Sequence, residues 1–235
     1  MKIFTGDSTG KKTLKVLEAA GIGRVFIRGP RVLYPGEEWM FDNGAFGWFK
    51  QDKPFDSDAF LRRLERIHAK VPYPPYLAVL PDIVAGGDES WEFSMEWLNS
   101  GKLPAEWPWY LAVQDGMDTR WVINVMDRVA GIFLGGSDDY KKQALFWRKV
   151  TGQFGKPLHY ARAGTLNKIA HATMICADSL DSSFPLWTHQ RLSAFVQMLS
   201  QQLLWVPDEY LLLRRLPHRG NQGEGCFGSV DHRKL

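Results

Sequence analysis

The chain predicts a compact (β/α)8 TIM-like barrel of the α/β class, and three observations carry that prediction. Eight short apolar, β-branched or aromatic runs recur along the sequence, segments of helical period separate most of them, and acidic or amide residues follow several runs directly. Strands that alternate with helices build parallel βαβ units, and eight such units favour closure over an open sheet. In a closed barrel of this kind the reactive groups stand where the strands end.

Taken in order, the strand candidates are residues 2–5, 24–27, 39–41, 76–80, 109–113, 131–134, 158–160 and 173–176. Helical periodicity marks residues 11–20, 56–69, 89–99, 119–129, 138–151 and 166–170, with 188–204 closing the series. The second unit is the weakest, because residues 28–38 form a Gly- and Pro-containing loop with no helical pattern. Asp56 or Ser57, and Asp118 or Thr119, are suited to cap the helices that follow them. After residue 206 the pattern decays into an Arg-rich and then Gly-rich stretch. The expected organisation is a barrel over residues 1–206 and a C-terminal extension or tail over 207–235.

Composition bounds the function classes. At 235 residues with 45% hydrophobic side chains, the chain can bury a full core as one large domain. A net charge of +3 permits contact with a polyanion without requiring it. Only two cysteines occur, Cys176 and Cys226, and no Cys/His cluster has zinc-ligand spacing, so neither a structural metal nor a disulfide is expected. The N-terminal residues lack a secretory apolar core, and no run of about 18 apolar residues appears, so the expected location is the cytoplasm, the host's if the chain is phage-encoded.

Placed on this scheme, Asp42 follows strand three, Asp82 strand four, Gln114 strand five, Gly135 and Gly136 strand six, Ala163 and Gly164 strand seven, and Asp178 and Asp181 strand eight. A single Asp after a strand is ordinarily a turn former or a helix cap. As a set, these residues converge on one mouth and can surround one small ligand. Two carboxylates across a cavity can perform a double displacement at an anomeric carbon, one attacking C1′ and one handling the leaving group's proton. A further carboxylate and an amide suit the hydrogen-bonding edge of a flat heterocycle, and glycine backbone allows its close approach. The set describes a purine-base pocket.

Five segments in order then carry a resemblance. Phe41-Asp42-Asn43-Gly44-Ala45-Phe46 resembles the Asp-Ser-Gly-Gly-Phe segment of the tRNA-guanine transglycosylase superfamily, and Val113-Gln114-Asp115-Gly116 its Val-Gln-Gly-Gly. Phe133-Leu134-Gly135-Gly136 is similar to its Gly-Gly turn, and His159-Tyr160-Ala161-Arg162-Ala163-Gly164 to its His-Leu-Met-Gly-Val-Gly. Ala177-Asp178-Ser179-Leu180-Asp181-Ser182-Ser183-Phe184-Pro185 resembles its Val-Asp-Met-Phe-Asp-Cys-Val-Leu-Pro. The resemblance implies Asp181 as nucleophile, Asp42 as general acid/base, Asp82, Gln114 and Gly136 as readers of the base, and Phe46 as its stacking partner. Asp178 stands as the competing nucleophile, with loop support through backbone hydrogen bonds as its ordinary role.

The departures narrow the resemblance. The chain has neither the Cys-rich zinc-binding segment of the tRNA enzymes nor their length, so a barrel without a zinc-binding subdomain is expected. Asp115 replaces the second glycine of Val-Gln-Gly-Gly. The chain is most like the DNA-modifying branch, which implies exchange of guanine in DNA for a 7-deazaguanine base without a cofactor, with accessory modification proteins as candidate partners. A guanine inside a duplex cannot present C1′ to a buried carboxylate, so it must be extruded or single-stranded. Arg28, Arg31, Arg162, His189, Arg191, Arg214, Arg215 and Arg219 are candidate phosphate contacts and Trp187 a stacking surface, against the ordinary role of a solvated charge.

Two features invite other readings. Residues 6–13 fall one residue short of a phosphate-loop spacing and are read as a strand-to-helix loop that can still meet a phosphate. Trp91, Trp97, Trp107 and Trp109 are read as packing residues rather than a sugar platform. The alternatives carried forward are a glycosidic-bond hydrolase, a tRNA-directed transglycosylase and a catalytically inactive DNA-binding barrel.

Overall fold

The structure, a computed structural model, describes residues 1–8, 10–30 and 36–201. It is a closed barrel of eight parallel strands in sequence order, β1 (Lys2–Gly6), β2 (Gly23–Phe26), β3 (Trp39–Phe41), β4 (Leu77–Val79), β5 (Trp109–Val113), β6 (Gly131–Leu134), β7 (Leu158–Tyr160) and β8 (Ser179–Asp181). Helices surround it: α1 (Lys11–Ala19), α2 (Ala45–Phe49), α3 (Ser57–Lys70), α4 (Asp88–Asn99), α5 (Thr119–Asn124), α6 (Ala144–Gln153), α7 (Leu166–Met174) and α8 (His189–Gln201). Closure is made where Phe4 of β1 pairs in register with Asp181 of β8.

Local chemistry explains the elements. In α3, Phe60, Leu64 and Ile67 recur at helical spacing and are buried, while the Asp56 side chain caps the first turn by accepting from the Ala59 N–H at 2.8 Å. Asp118 does the same for α5 through the Arg120 N–H. Trp97, Trp107 and Trp109 are buried in an aromatic layer with Phe41 and Phe60, and Trp91 packs on Trp121, so these tryptophans serve packing. Inside the barrel, Phe4, Met40, Leu77, Val79, Tyr110 and Ala112 form a separate apolar plug that gives the mouth its floor.

One strand sits elsewhere than the sequence predicts. Residues 173–176 do not form the last strand; α7 continues through Met174, because Ile169, Ala172 and Ile175 share one buried helical stripe. The true strand, Ser179-Leu180-Asp181, hides its character because its two barrel-facing side chains are polar.

Between β2 and β3 the described residues contain no helix. There the outward-facing Arg24, 1% exposed, donates from Nε and Nη2 to the two carboxylate oxygens of Glu37 and from Nη1 to Asp7 at 2.8 Å. The fork-to-fork pairing satisfies a charge that burial would otherwise penalise. Asp7 is therefore committed to Arg24 within the loop at 6–13. Thr9, Arg31, Arg214, Arg215, Arg219, Cys226, the side chain of His189 and the expected tail at 207–235 lie outside the described residues. Among the described residues, no helix is long and apolar enough to cross a membrane. Glu37→Ala leaves Arg24 buried with half its partners gone; the expected loss is about 3 kcal/mol of unfolding free energy, read from the urea midpoint.

Candidate active site

The mouth is organised around Asp181. As the last residue of β8 it points into the barrel, where one oxygen, Oδ1, accepts from His159 Nε2 at 3.0 Å and from the Arg162 backbone N–H at 2.9 Å. Its other oxygen has no hydrogen bond among the described residues. His159, on β7, is fully buried; its Nδ1 meets the Ser179 hydroxyl at 2.8 Å, and its ring stacks on Phe133 with centroids 4.9 Å apart and planes 9° apart. With Nε2 assigned as the donor to the carboxylate, Nδ1 accepts from Ser179. The backbone on either side is fixed too, by Ala163 N–H to Asp181 O at 2.8 Å and Ser182 N–H to Phe4 O at 2.9 Å.

Asp42 stands one residue past β3. Its Oδ1 accepts from the Gly44 N–H at 2.6 Å, in a turn whose glycine has φ +78° and whose side-chain position is filled by Arg63. Its Oδ2 is unbonded among the described residues. Desolvation pushes the Asp42 carboxyl above its ordinary range; the Gly44 bond opposes this, the negative charge of Asp181 adds to it, and Arg63 and Arg162 pull it down. The two carboxylates therefore lie within each other's field, and each offers one free oxygen to a common mouth.

Asp82, after β4, is the third carboxylate. Its Oδ1 accepts from Asn43 Nδ2 at 2.7 Å, and the same amide group reaches the Leu80 carbonyl at 2.6 Å. Desolvation, with the Asp42 charge behind it, raises the Asp82 carboxyl to about 6 despite the Asn43 bond and the pull of Arg162. Asp42 and Asp82 are half-buried, each keeping some contact with solvent. Phe46, at the start of α2, is 36% exposed and lies under the Arg162 guanidinium with Cζ 4.8 Å from its ring centroid. Gly136 adopts φ +73°, and a Cβ there would meet Asp115 Oδ2 at 2.7 Å, so only glycine fits this turn. Its N–H has no partner among the described residues.

The other residues expected at the site take different places, and the first of them needs correction as a site residue. Asp178 lies at the opposite end of the barrel: it precedes β8, its carbonyl accepts from Lys2 N–H, and its Oδ2 accepts from Leu158 N–H at 2.8 Å and Arg148 Nη1 at 3.3 Å. Lys2 and Leu158 begin their strands, so Asp178 is a structural clamp on the far face and no rival to Asp181. Gln114 is 4% exposed; its Oε1 accepts from Ala85 N–H at 2.7 Å and its Nε2 donates to Ile83 O at 2.8 Å. It straps the loop after β4, in which Ala85 has φ +61°, rather than offering its amide to a ligand. The Gly135 N–H is bound to Val113 O, and buried Ala163 is bonded through both backbone groups, so these two support the mouth from behind. Gly164 has open space where a side chain would stand.

Four positions at the site carry no expectation from the sequence. Asn43 pins the turns after β3 and β4 together, and Arg63 stacks on Trp48 with Cζ 4.2 Å from the ring while donating to Asn43 O at 3.3 Å. His159 holds the Asp181 carboxylate. Lys141 is 2% exposed, reaches the Ala161 carbonyl, and is pulled down to about 8 by desolvation, with Arg162 adding to the effect and Asp181 opposing it. Asn43 and His159 stand inside the five resembling segments, whereas nothing in the pattern distinguishes Lys141 or Arg63 from surface cations. Asp115, the residue in place of a glycine, accepts from both the N–H and hydroxyl of Ser137 at 2.6 Å; burial raises its carboxyl, but these bonds prevail and lower it.

The rim is aromatic and cationic. Trp187 is 57% exposed with Arg191 Cζ 4.5 Å from its ring, and exposed Arg28 acts on Arg63 through its charge. Among the described residues, no group of three or more His, Cys, Asp or Glu side chains is placed to hold a metal ion. A cleft of about 330 Å³ between α1 and the segment before β3 is lined by none of these carboxylates; Glu37 and Arg24 line it, and their charges are already paired. Neither a protein-family model nor a curated protein matches the chain.

Ionised Asp82 opposes folding. Its raised value means that this penalty is absent below about pH 4, grows as pH rises through about 6 and is full above that. Asp82→Asn, which can still accept from Asn43, is expected to be more stable than the parent by on the order of 2 kcal/mol at pH 8. The difference should vanish near pH 4 in paired urea denaturation curves.

Proposed function

We propose that the chain is a base-exchange glycosyltransferase of the tRNA-guanine transglycosylase type, replacing guanine in DNA with a 7-deazaguanine base through a covalent aspartyl intermediate. The observation that carries this reading is the pairing of Asp181 and Asp42, each with one anchored and one free carboxylate oxygen, at a mouth that also holds Asp82, Gly136 and Phe46.

Asp181 Oδ2 attacks C1′ as the bond to guanine N9 breaks, and the bonding pair leaves with the base. Asp42, whose carboxyl desolvation and the neighbouring charge push upward, serves as the general acid that gives a proton to the departing ring. The sugar is then an ester of Asp181. An incoming 7-deazaguanine loses its N9 proton to Asp42, attacks C1′ and releases Asp181, so configuration is retained and both carboxylates return to their starting states. The exchange is redox-neutral. His159 and the Arg162 N–H hold Oδ1, which fixes the direction of Oδ2, while Asp82 and the Gly136 N–H offer an acceptor and a donor to the edge of the base.

DNA is the first choice of nucleic acid here, and tRNA is the alternative that the test below separates from it. Arg28, Arg191 and Trp187 on the rim suit the phosphates and unstacked bases of an extruded or single-stranded segment.

The test is mass analysis of nucleosides from DNA incubated with the protein and a 7-deazaguanine base. Incorporation is expected, with a loss of at least about a thousandfold in Asp181→Asn and Asp42→Asn. Abasic sites without incorporation support the hydrolase, incorporation into tRNA alone supports the tRNA-directed enzyme, and DNA binding without an adduct that survives denaturation supports the inactive barrel. His159→Leu should slow adduct formation by about a hundredfold, since loss of one anchor lets the nucleophile wander, whereas His159→Gln, which restores an N–H near Nε2, should recover much of it in single-turnover assays.

A further inference from the structure

One side chain ties three loops together over the mouth. Arg162 follows β7 with its backbone in the left-handed region, φ +51°, which points its N–H at Asp181 and sends its side chain the other way. Its Nη2 donates to the Gly136 carbonyl after β6 at 2.7 Å, and its guanidinium covers Phe46 after β3. The Phe46 ring has other neighbours, Lys50 Nζ at 4.7 Å from its centroid and the Phe49 ring at 6.2 Å. Those two belong to α2 or its C-cap and move with Phe46. Arg162 reaches the ring from across the opening. It is an exposed side chain whose direct contacts there are one hydrogen bond and one cation–π contact, each weak in water, with the charges of Asp42, Asp82 and Asp115 attracting it through space.

We propose that Arg162 is a displaceable strap that determines specificity: its guanidinium fills the slot between the Phe46 ring and the Gly136 carbonyl, and the base is bound by pushing it aside. A guanidinium is flat, stacks on an aromatic face and carries N–H donors in its plane. The edge of guanine that bears the ring N–H and the exocyclic amine has the same properties. The slot therefore selects a planar heterocycle with a donor edge and rejects one that turns only acceptors toward the Gly136 oxygen. The grip on Asp181 survives the swing, because the backbone N–H makes it. The displaced cation stays tethered at the rim, where a nucleic-acid phosphate is a natural partner. This inference rests on the base-exchange reading and names how that same site admits its base.

The experiment measures binding of free 7-deazaguanine by tryptophan fluorescence at pH 8, above the Asp82 value of about 6, for the full chain and for Arg162→Gly and Arg162→Ala. Both variants keep the N–H that holds Asp181, and glycine suits the left-handed backbone. With the competing guanidinium gone, both are expected to bind about five- to twentyfold more tightly than the parent. If the parent binds the base and the variants bind it equally or more weakly, Arg162 is a clamp or a bystander and the strap is overturned while base exchange stands. If no form binds the base, the base-exchange reading itself fails, and the strap fails with it.

Discussion

The geometry of the mouth depends on how a single carboxylate oxygen is held. Asp181 Oδ1 is gripped by a buried imidazole from the neighbouring strand and by a backbone N–H from the loop above it. Those donors come from β7 and the residue two beyond it, so the grip exists only because β7 and β8 are paired in register. His159 in turn cannot rotate, since Ser179 holds its other nitrogen and Phe133 covers its face. A short chain of hydrogen bonds inside a packed barrel thus converts strand pairing into a fixed direction for the remaining oxygen. Such preorganisation is what a nucleophile needs and what a loop carboxylate in water lacks.

The same mouth concentrates charge that opposes folding. Asp42, Asp82 and Asp181 are gathered where desolvation raises the first two, and Arg63 and Arg162 only partly compensate. A structural cluster would be expected to pair its charges, as Arg24 does with both oxygens of Glu37 and with Asp7 in the outer layer. The contrast follows the division of the barrel: ion pairs hold the strands together away from the mouth, and underpaired carboxylates with free oxygens stand at the strand ends. Arg162 stands between the two kinds, bonded through its backbone to the nucleophile and through its side chain to the opposite rim.

Several candidate residues changed meaning because hydrogen-bond partners cannot be read along a chain. Gln114, Gly135 and Ala163 stand at strand ends, as the alternation of elements predicts, but their polar groups are bound to neighbouring strands and loops. They shape the mouth without facing into it. Asp178 and Asp181 are three positions apart in sequence and occupy opposite ends of a strand. Expecting the last strand at 173–176 conceals this, and the cause is chemical: a strand whose barrel-facing residues are Ser and Asp has no apolar alternation to announce it.

By itself the sequence determined the barrel, its strand order, seven of its eight strands to within a residue or two, and the strand ends that carry Asp42 and Asp82. Those are consequences of hydrophobic period, turn residues and caps, which act over a few neighbours and are written locally. Only the tertiary structure decided which polar groups are free and which are consumed, that His159 rather than Asp178 attends Asp181, and that Lys141 is buried and Arg63 half-buried near the site. These outcomes depend on partners brought together by barrel closure, and on the desolvation that closure imposes, neither of which has a signature in the order of residues.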